Sequence, residues 1–148
     1  MRFKGGKHLT MRDFAKSCAV SAALLLLLGA HSTLAEVVHE PGFRIETPTG
    51  FAIAKTRGPD FDVYRVSRGP VGYVGIYVGF APDFPANKAA TVATVGQRKT
   101  ASVMVAGKAE PVEWLIQGKQ GQLHVWIMKP PVGQEMTART MALSVIPE

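Results

Sequence analysis

The tripeptide Pro-Asp-Phe occurs twice in this 148-residue chain, at 59–61 and 82–84. Another aspartate follows the first copy closely, and a histidine lies further along the chain. Carboxylates close to a histidine can perform general acid–base hydrolysis, and clustered carboxylates can bind a divalent cation. The residues that could form a small hydrolase or metal-dependent enzyme are Asp60, Asp62, Asp83 and His124.

A purely structural role explains the same tripeptide. Proline presets φ at the second position of a type I turn, and aspartate bonds to nearby backbone amides. Phenylalanine then returns the chain to the core. Val63 and Tyr64 do not continue the calcium-loop pattern D-x-[DN]-x-[DN]-G after Asp62. The sequence therefore favours two similar turns over a catalytic or cation site.

Other catalytic and metal-binding patterns are incomplete. His39 is followed by glutamate, but the second histidine of H-E-x-x-H is missing. The serines that could pair with His124, namely Ser67, Ser102 and Ser144, lack the G-x-S-x-G context of a nucleophile. We therefore predict no metal site and no cofactor.

The segment 69–80, GPVGYVGIYVGF, alternates glycines with larger residues. Side chains alternate between the two faces of a strand, so Tyr73 and Tyr77 are expected to share a face with Gly75 and Gly79. Glycine inside a strand leaves room for a close neighbour, which can be a covering helix, an aromatic ring or a ligand. The segment does not fit either phosphate-loop pattern.

His124 and Trp126 present the same alternatives, either residues packed within the protein or part of a binding surface. They share one face of a predicted strand at 122–128 with Met128, while Leu123 lies on the opposite face. Because both faces are largely apolar, we expect a strand covered on both sides. The candidate binding residues are Tyr73, Tyr77, His124 and Trp126.

Turn-forming residues recur at short intervals and separate apolar runs of strand length. The last two runs are joined by Gly-Lys-Gln-Gly at 118–121, which predicts a hairpin. The predicted strands are 43–47, 51–55, 61–67, 71–79, 101–106, 111–117 and 122–128.

Two segments predict helices. The segment 133–147 ends at Pro147 and would cover the His124 face, with a strand over 140–146 as the alternative. The apolar stripe of this helix would contain Met136, Thr140, Ala142 and Leu143. The alanine-rich segment 85–94 predicts a second helix beginning at its proline. The expected architecture is α+β, a single compact domain with a mostly antiparallel sheet and one or two helices packed on one face.

Residues 1–35 resemble a secretory signal peptide. Basic residues precede an apolar run at 19–30, which is too short to span a bilayer comfortably, and small residues precede Glu36. Translation from Met11 would give a signal of more ordinary length. We therefore predict export to the periplasm, leaving a mature domain at 36–148.

Removal of this segment changes the charge and the cysteine content. The formal charge falls from +6 to about +2, because the mature chain keeps 12 basic and 10 acidic residues. The basic residues are scattered, which argues against nucleic-acid binding. The only cysteine, Cys18, is removed with the signal, so the mature chain has no disulfide or thiolate. Cys18 precedes the apolar run, so we expect neither a lipid anchor nor another stable membrane anchor.

The runs GPDFDVYRV, YVGIYVGFAPDFP and PVEWLIQGKQGQLHVWIM resemble a group of small exported bacterial proteins of unknown function. In those proteins a Pro-Asp-Phe-Asp-Val-Tyr strand precedes a Gly-Ile-Tyr-Val-Gly strand. The resemblance covers most of 41–145 but not 86–110. It implies a periplasmic domain with a PsbP/Mog1-like α/β sandwich, and it supplies no catalytic residues.

The sequence thus leads to three hypotheses. The first is a small non-catalytic binding or interaction module that recognises a periplasmic protein or envelope component through Tyr73, Tyr77 and Trp126. The second is the hydrolase or metal-dependent enzyme that uses the aspartates with His124. The third is a structural envelope protein, which its oligomeric state would distinguish.

Overall fold

Ten strands and one helix follow one another along residues 34–148, the part of the chain that the computed structural model describes. All but the last two residues of the predicted signal segment lie outside these described residues. The strands are β1 (Ala35–Glu40), β2 (Phe43–Pro48), β3 (Ala52–Arg57), β4 (Asp62–Arg68), β5 (Val71–Gly79), β6 (Thr91–Val95), β7 (Arg98–Val105), β8 (Lys108–Gly118), β9 (Gly121–Ile127) and β10 (Ile146–Pro147). The helix, α1, is Glu135–Leu143.

The strands form two antiparallel sheets. The larger sheet has the order β3-β4-β5-β9-β8-β7-β6, and the smaller one has the order β1-β2-β10. Most neighbouring strands of the larger sheet are joined by hairpins. The exception is the pair β5 and β9, because β8, β7 and β6 lie on the far side of β9. This order places β5 and β9 at the centre, as expected for strands that are apolar on both faces.

One face of the larger sheet is covered by α1 and the smaller sheet. The buried residues of this core include Tyr64, Val66, Val74, Ile76, Trp114, Ile116, Leu123 and Val125 from the larger sheet. Those of the covering layer are Phe43, Ile45, Ala138, Met141, Ala142 and Val145. The result is the predicted α+β architecture, a mostly antiparallel sheet with one helix on one face, and it confirms that prediction.

A β-bulge changes the direction of Tyr73. Consecutive residues of β4 pair with Gly72 and Val74, so Tyr73 has no partner in the ladder. Its ring packs edge-on against Phe51 with 4.8 Å between ring centroids, and its side chain is buried in the core. The expectation that Tyr73 and Tyr77 share a face is therefore wrong, because an extra residue in a strand breaks the alternation of its side chains.

The C-terminal helix is shorter than expected and buries different residues. It ends at Leu143, beyond which Ile146–Pro147 pairs with β2 as β10. The predicted stripe is wrong at Met136, Thr140 and Leu143, which are all exposed, and correct only at Ala142. The buried residues are Ala138, Met141 and Ala142. The helix covers the face of Leu123 and not that of His124, so the expected cover for the His124 face is also wrong.

The predicted helix at 85–94 is absent, because residues 85–90 form a loop and Thr91–Val95 is strand β6. Threonine and valine are stiff at χ1 and favour strands, and here they outweigh the alanines. β6 pairs with β7 at the edge of the larger sheet. The predicted strands are all confirmed, whereas β1, β6 and β10 had not been predicted.

Candidate binding site

The face of the larger sheet opposite α1 carries an open pocket with a volume of about 580 Å³. Strands β5, β7, β8 and β9 contribute residues to it, and the loop at 80–90 lies along one side. The apolar lining residues are Phe61, Tyr77, Val103, Val112, Trp126 and Ile127, together with Ala86. The polar lining residues are Asp83, Asn87, Glu113 and His124.

Trp126 lies directly over a glycine of the neighbouring strand. Gly75 and Trp126 are paired residues of β5 and β9, and a Cβ built on Gly75 would lie 2.2 Å from the indole ring. Any side chain at this position would clash with the ring. The sequence allowed a helix, an aromatic ring or a ligand as the close neighbour of this glycine. The neighbour observed at Gly75 is an aromatic ring, that of Trp126.

The two Pro-Asp-Phe copies both direct a phenylalanine onto this face. Phe61 stacks on Tyr77, with 5.3 Å between ring centroids and 23° between ring planes. Phe84 meets the His124 ring edge-on at 5.5 Å. The first copy closes a turn in which the Gly58 amide donates to the Phe61 carbonyl at 2.7 Å. The repeated tripeptide thus forms two loops that place aromatic rings beside the pocket.

A buried carboxylate joins the loop at 80–90 to the sheet. Glu113 Oε2 accepts hydrogen bonds from the Ala86 amide at 2.9 Å and from His124 Nε2 at 2.8 Å. Its Oε1 accepts from the Asn87 amide at 3.1 Å. The side chains of Glu113 and His124 are each only 7% exposed. Because a carboxylate only accepts, His124 must donate through Nε2, which leaves Nδ1 as the ring nitrogen for any other partner.

Asp83 is the only one of the three candidate aspartates that lines this pocket. Lys88 Nζ lies 2.6 Å from its carboxylate and also donates to the Pro85 carbonyl at 2.9 Å. The hydrogen bond and charge of Lys88 lower the pKa of Asp83 below its ordinary value of 3.8, and the nearby His124 contributes a smaller lowering.

The other two aspartates lie outside the pocket. Asp62 pairs with Lys55 at 2.7 Å and with Arg57 at 3.7 Å. Asp60 and Asp62 line a second, separate pocket. Phe61 lines both pockets. Within residues 34–148, no three His, Cys, Asp or Glu side chains are placed to hold a metal ion. Of the four residues proposed for an enzyme, only Asp83 and His124 are therefore brought to the same pocket.

Three of the four candidate binding residues, Tyr77, His124 and Trp126, line the pocket, and Tyr73 lies in the core instead. Sequence reasoning missed Glu113. The predicted hairpin already contained the information, because its turn sets a register in which Glu113 pairs with Trp126. A carboxylate on that largely apolar face needs buried partners, which would have marked it as a structural or binding residue.

The one helix in residues 34–148, α1, is not long and apolar enough to cross a bilayer. Comparison of the chain with family models, curated proteins and solved structures gave no match. The resemblance to small exported bacterial proteins, and with it the PsbP/Mog1-like fold, therefore stays a prediction.

Proposed function

We propose that this protein is an exported, periplasmic binding module without catalytic activity, and that the pocket on the His124 face holds a small, largely apolar molecule of the periplasm or envelope. The observation that carries the proposal is the pocket itself. Its volume of about 580 Å³ falls in the range of about 300–1,000 Å³ that is common for small-molecule sites. Apolar walls with a few polar groups are also typical of such sites.

The residues around the pocket are held in place before any ligand arrives. The Trp126 ring rests on Gly75, and Phe61 stacks on Tyr77. Glu113 ties the loop at 80–90 to the sheet through two backbone amides. Fixed side chains reduce the conformational entropy that is lost on binding, so this arrangement favours a binding function.

Export is supported by the composition of residues 1–35, with basic residues, an apolar run and small residues before Glu36. Strand β1 begins at Ala35, so cleavage before Glu36 would remove only its first residue. The cleaved chain would keep the pairing of β1 with β2 from Glu36 to Glu40. A signal peptidase could therefore act without dismantling the sheet.

Filling the pocket tests the binding function. Val103 lines the pocket, so Val103→Trp would occupy part of its volume. The matched control is Val105→Trp, two residues further along β7, where the side chain is 53% exposed and outside the pocket. Amide NMR spectra of both variants and of the native mature domain would be recorded against a panel of small aromatic compounds.

The native domain and the Val105→Trp variant should bind members of the panel, with the largest shifts at Tyr77, His124 and Trp126. The Val103→Trp variant should lose these shifts while it keeps the spectrum of a folded protein. Binding that survives in Val103→Trp, or shifts confined to the α1 side of the sheet, would contradict the proposal.

A further inference from the structure

The charged side chains that line the pocket are both carboxylates. They belong to Asp83 and Glu113, and no lysine or arginine is among the lining residues. Lys88 Nζ pairs with one oxygen of Asp83, Oδ1, from outside the pocket at 2.6 Å, and both side chains are largely exposed to solvent. The carboxylate of Glu113 accepts hydrogen bonds from two neutral backbone amides and from His124. The two carboxylates of Asp83 and Glu113 and the single ammonium of Lys88 sum to one net negative charge.

Aromatic rings form much of the remaining wall. Phe61, Tyr77 and Trp126 all line the pocket, and a positive charge is attracted to the face of such rings. The Trp126 indole is especially suitable, because tryptophan gives the strongest of these interactions. Each of these features suits a donor with a positive charge.

We propose that the ligand of this pocket is an organic ammonium whose apolar body is about the size of a phenyl ring with a short alkyl chain. The inference rests on the proposed binding function, because it names the chemistry of that pocket's ligand. The apolar body lies against the aromatic wall, and the ammonium lies at the end of the pocket that contains Asp83. An anion of the same shape meets like charge there, and a neutral molecule gains no ionic attraction.

Three compounds with the same phenylbutyl body test this charge preference. They are 4-phenylbutylamine, 4-phenylbutan-1-ol and 4-phenylbutyrate, which are positive, neutral and negative at pH 7. Their dissociation constants for the mature domain would be measured by NMR titration in low salt. Because Asp83 is exposed to solvent, we expect the amine to bind only about three- to fivefold more tightly than the alcohol. The carboxylate should bind most weakly, and added salt should shrink both differences.

Two variants of the Asp83–Lys88 pair assign the preference to this end of the pocket. Asp83→Asn should bring the affinity ratio of amine to alcohol close to one and leave the affinity for the alcohol unchanged. Lys88→Met should increase the ratio, because Lys88 competes with the ligand for the Asp83 carboxylate. The matched control is Asp60→Asn in the other Pro-Asp-Phe copy, which lies outside the pocket and should leave the ratio unchanged.

The outcomes separate this inference from the proposed function. If the alcohol or the carboxylate binds as tightly as the amine, the ammonium inference is refuted and the binding function stands. An amine preference that persists in Asp83→Asn and does not rise in Lys88→Met also refutes it. If none of the three compounds binds at millimolar concentration while other members of the aromatic panel do, the ammonium inference is refuted and the binding function stands. Failure of the whole panel refutes both.

Discussion

Replacement of Glu113 by alanine should destabilise the protein strongly and release the loop at 80–90. The carboxylate accepts three hydrogen bonds of 2.8–3.1 Å, from His124 and from the amides of Ala86 and Asn87. These two amides belong to a loop without helix or strand, so Glu113 is a principal link between this loop and the sheet. Alanine removes all three hydrogen bonds together.

The size of the effect follows from burial. Glu113 and His124 are each 7% exposed at the side chain, so solvent replaces the lost partner poorly. Breaking a buried pair of this kind costs about 3–5 kcal/mol. A domain of this size has a free energy of unfolding of about 5–15 kcal/mol, so the loss is a large fraction of the total. Glu113→Gln keeps an acceptor oxygen and should cost less, about 1–2 kcal/mol.

Urea unfolding measures the global effect, and hydrogen exchange at the Ala86 and Asn87 amides measures the local one. We expect both amides to exchange faster in Glu113→Ala than the global loss of stability explains. The control is Glu46→Ala, an exposed glutamate on β2, which should change the free energy of unfolding by about 0.5 kcal/mol or less. A loss below about 1 kcal/mol in Glu113→Ala, with unchanged protection of the two amides, would refute this reasoning.

Two other predictions concern the same face. Gly75→Ala should lower the free energy of unfolding, measured with urea, by about 1–3 kcal/mol, because the new Cβ would lie 2.2 Å from the Trp126 ring. In a Trp126→Val background the same substitution should cost much less. A Gly75→Ala variant as stable as the native protein would contradict this packing. The pKa of Asp83, followed by carboxyl NMR, should lie below 3.8 and rise towards it in Lys88→Met. The stabilisation from this pair is then present above about pH 4 and is lost as the pH falls through the lowered pKa. An Asp83 pKa that does not respond to Lys88→Met would be inconsistent with the pair.

Much of the fold could be predicted because most strands carry their pattern locally. The alternation in β8 and β9 and the Gly-Lys-Gln-Gly turn together specify the hairpin, including the face that Trp126 occupies. The alternation fails at Tyr73, where an extra residue in β5 sends the ring into the core. A bulge depends on how two strands pair, and the pattern of a single strand does not contain that information.

The site could be predicted only in part. His124 and Trp126 were identified from the face that they share. Phe61 was expected to return to the core, but it lines the pocket instead. The role of Glu113 depends on backbone amides 26 and 27 residues away in sequence, in a loop without a recognisable motif. Backbone amides are present at nearly every position, so residue types alone do not reveal which ones a buried carboxylate will meet.

The most direct test of the binding function is the mass of the protein purified from the periplasm of a Gram-negative host, measured under denaturing and native conditions. Full-length native and Val103→Trp chains would be expressed in parallel. The denatured mass of each chain should match residues Glu36–Glu148. The native mass should exceed the denatured mass for the native chain but not for Val103→Trp, in which the pocket is filled. An uncleaved chain would contradict export. A native chain without excess mass, or an excess that Val103→Trp keeps, would contradict a ligand held in this pocket.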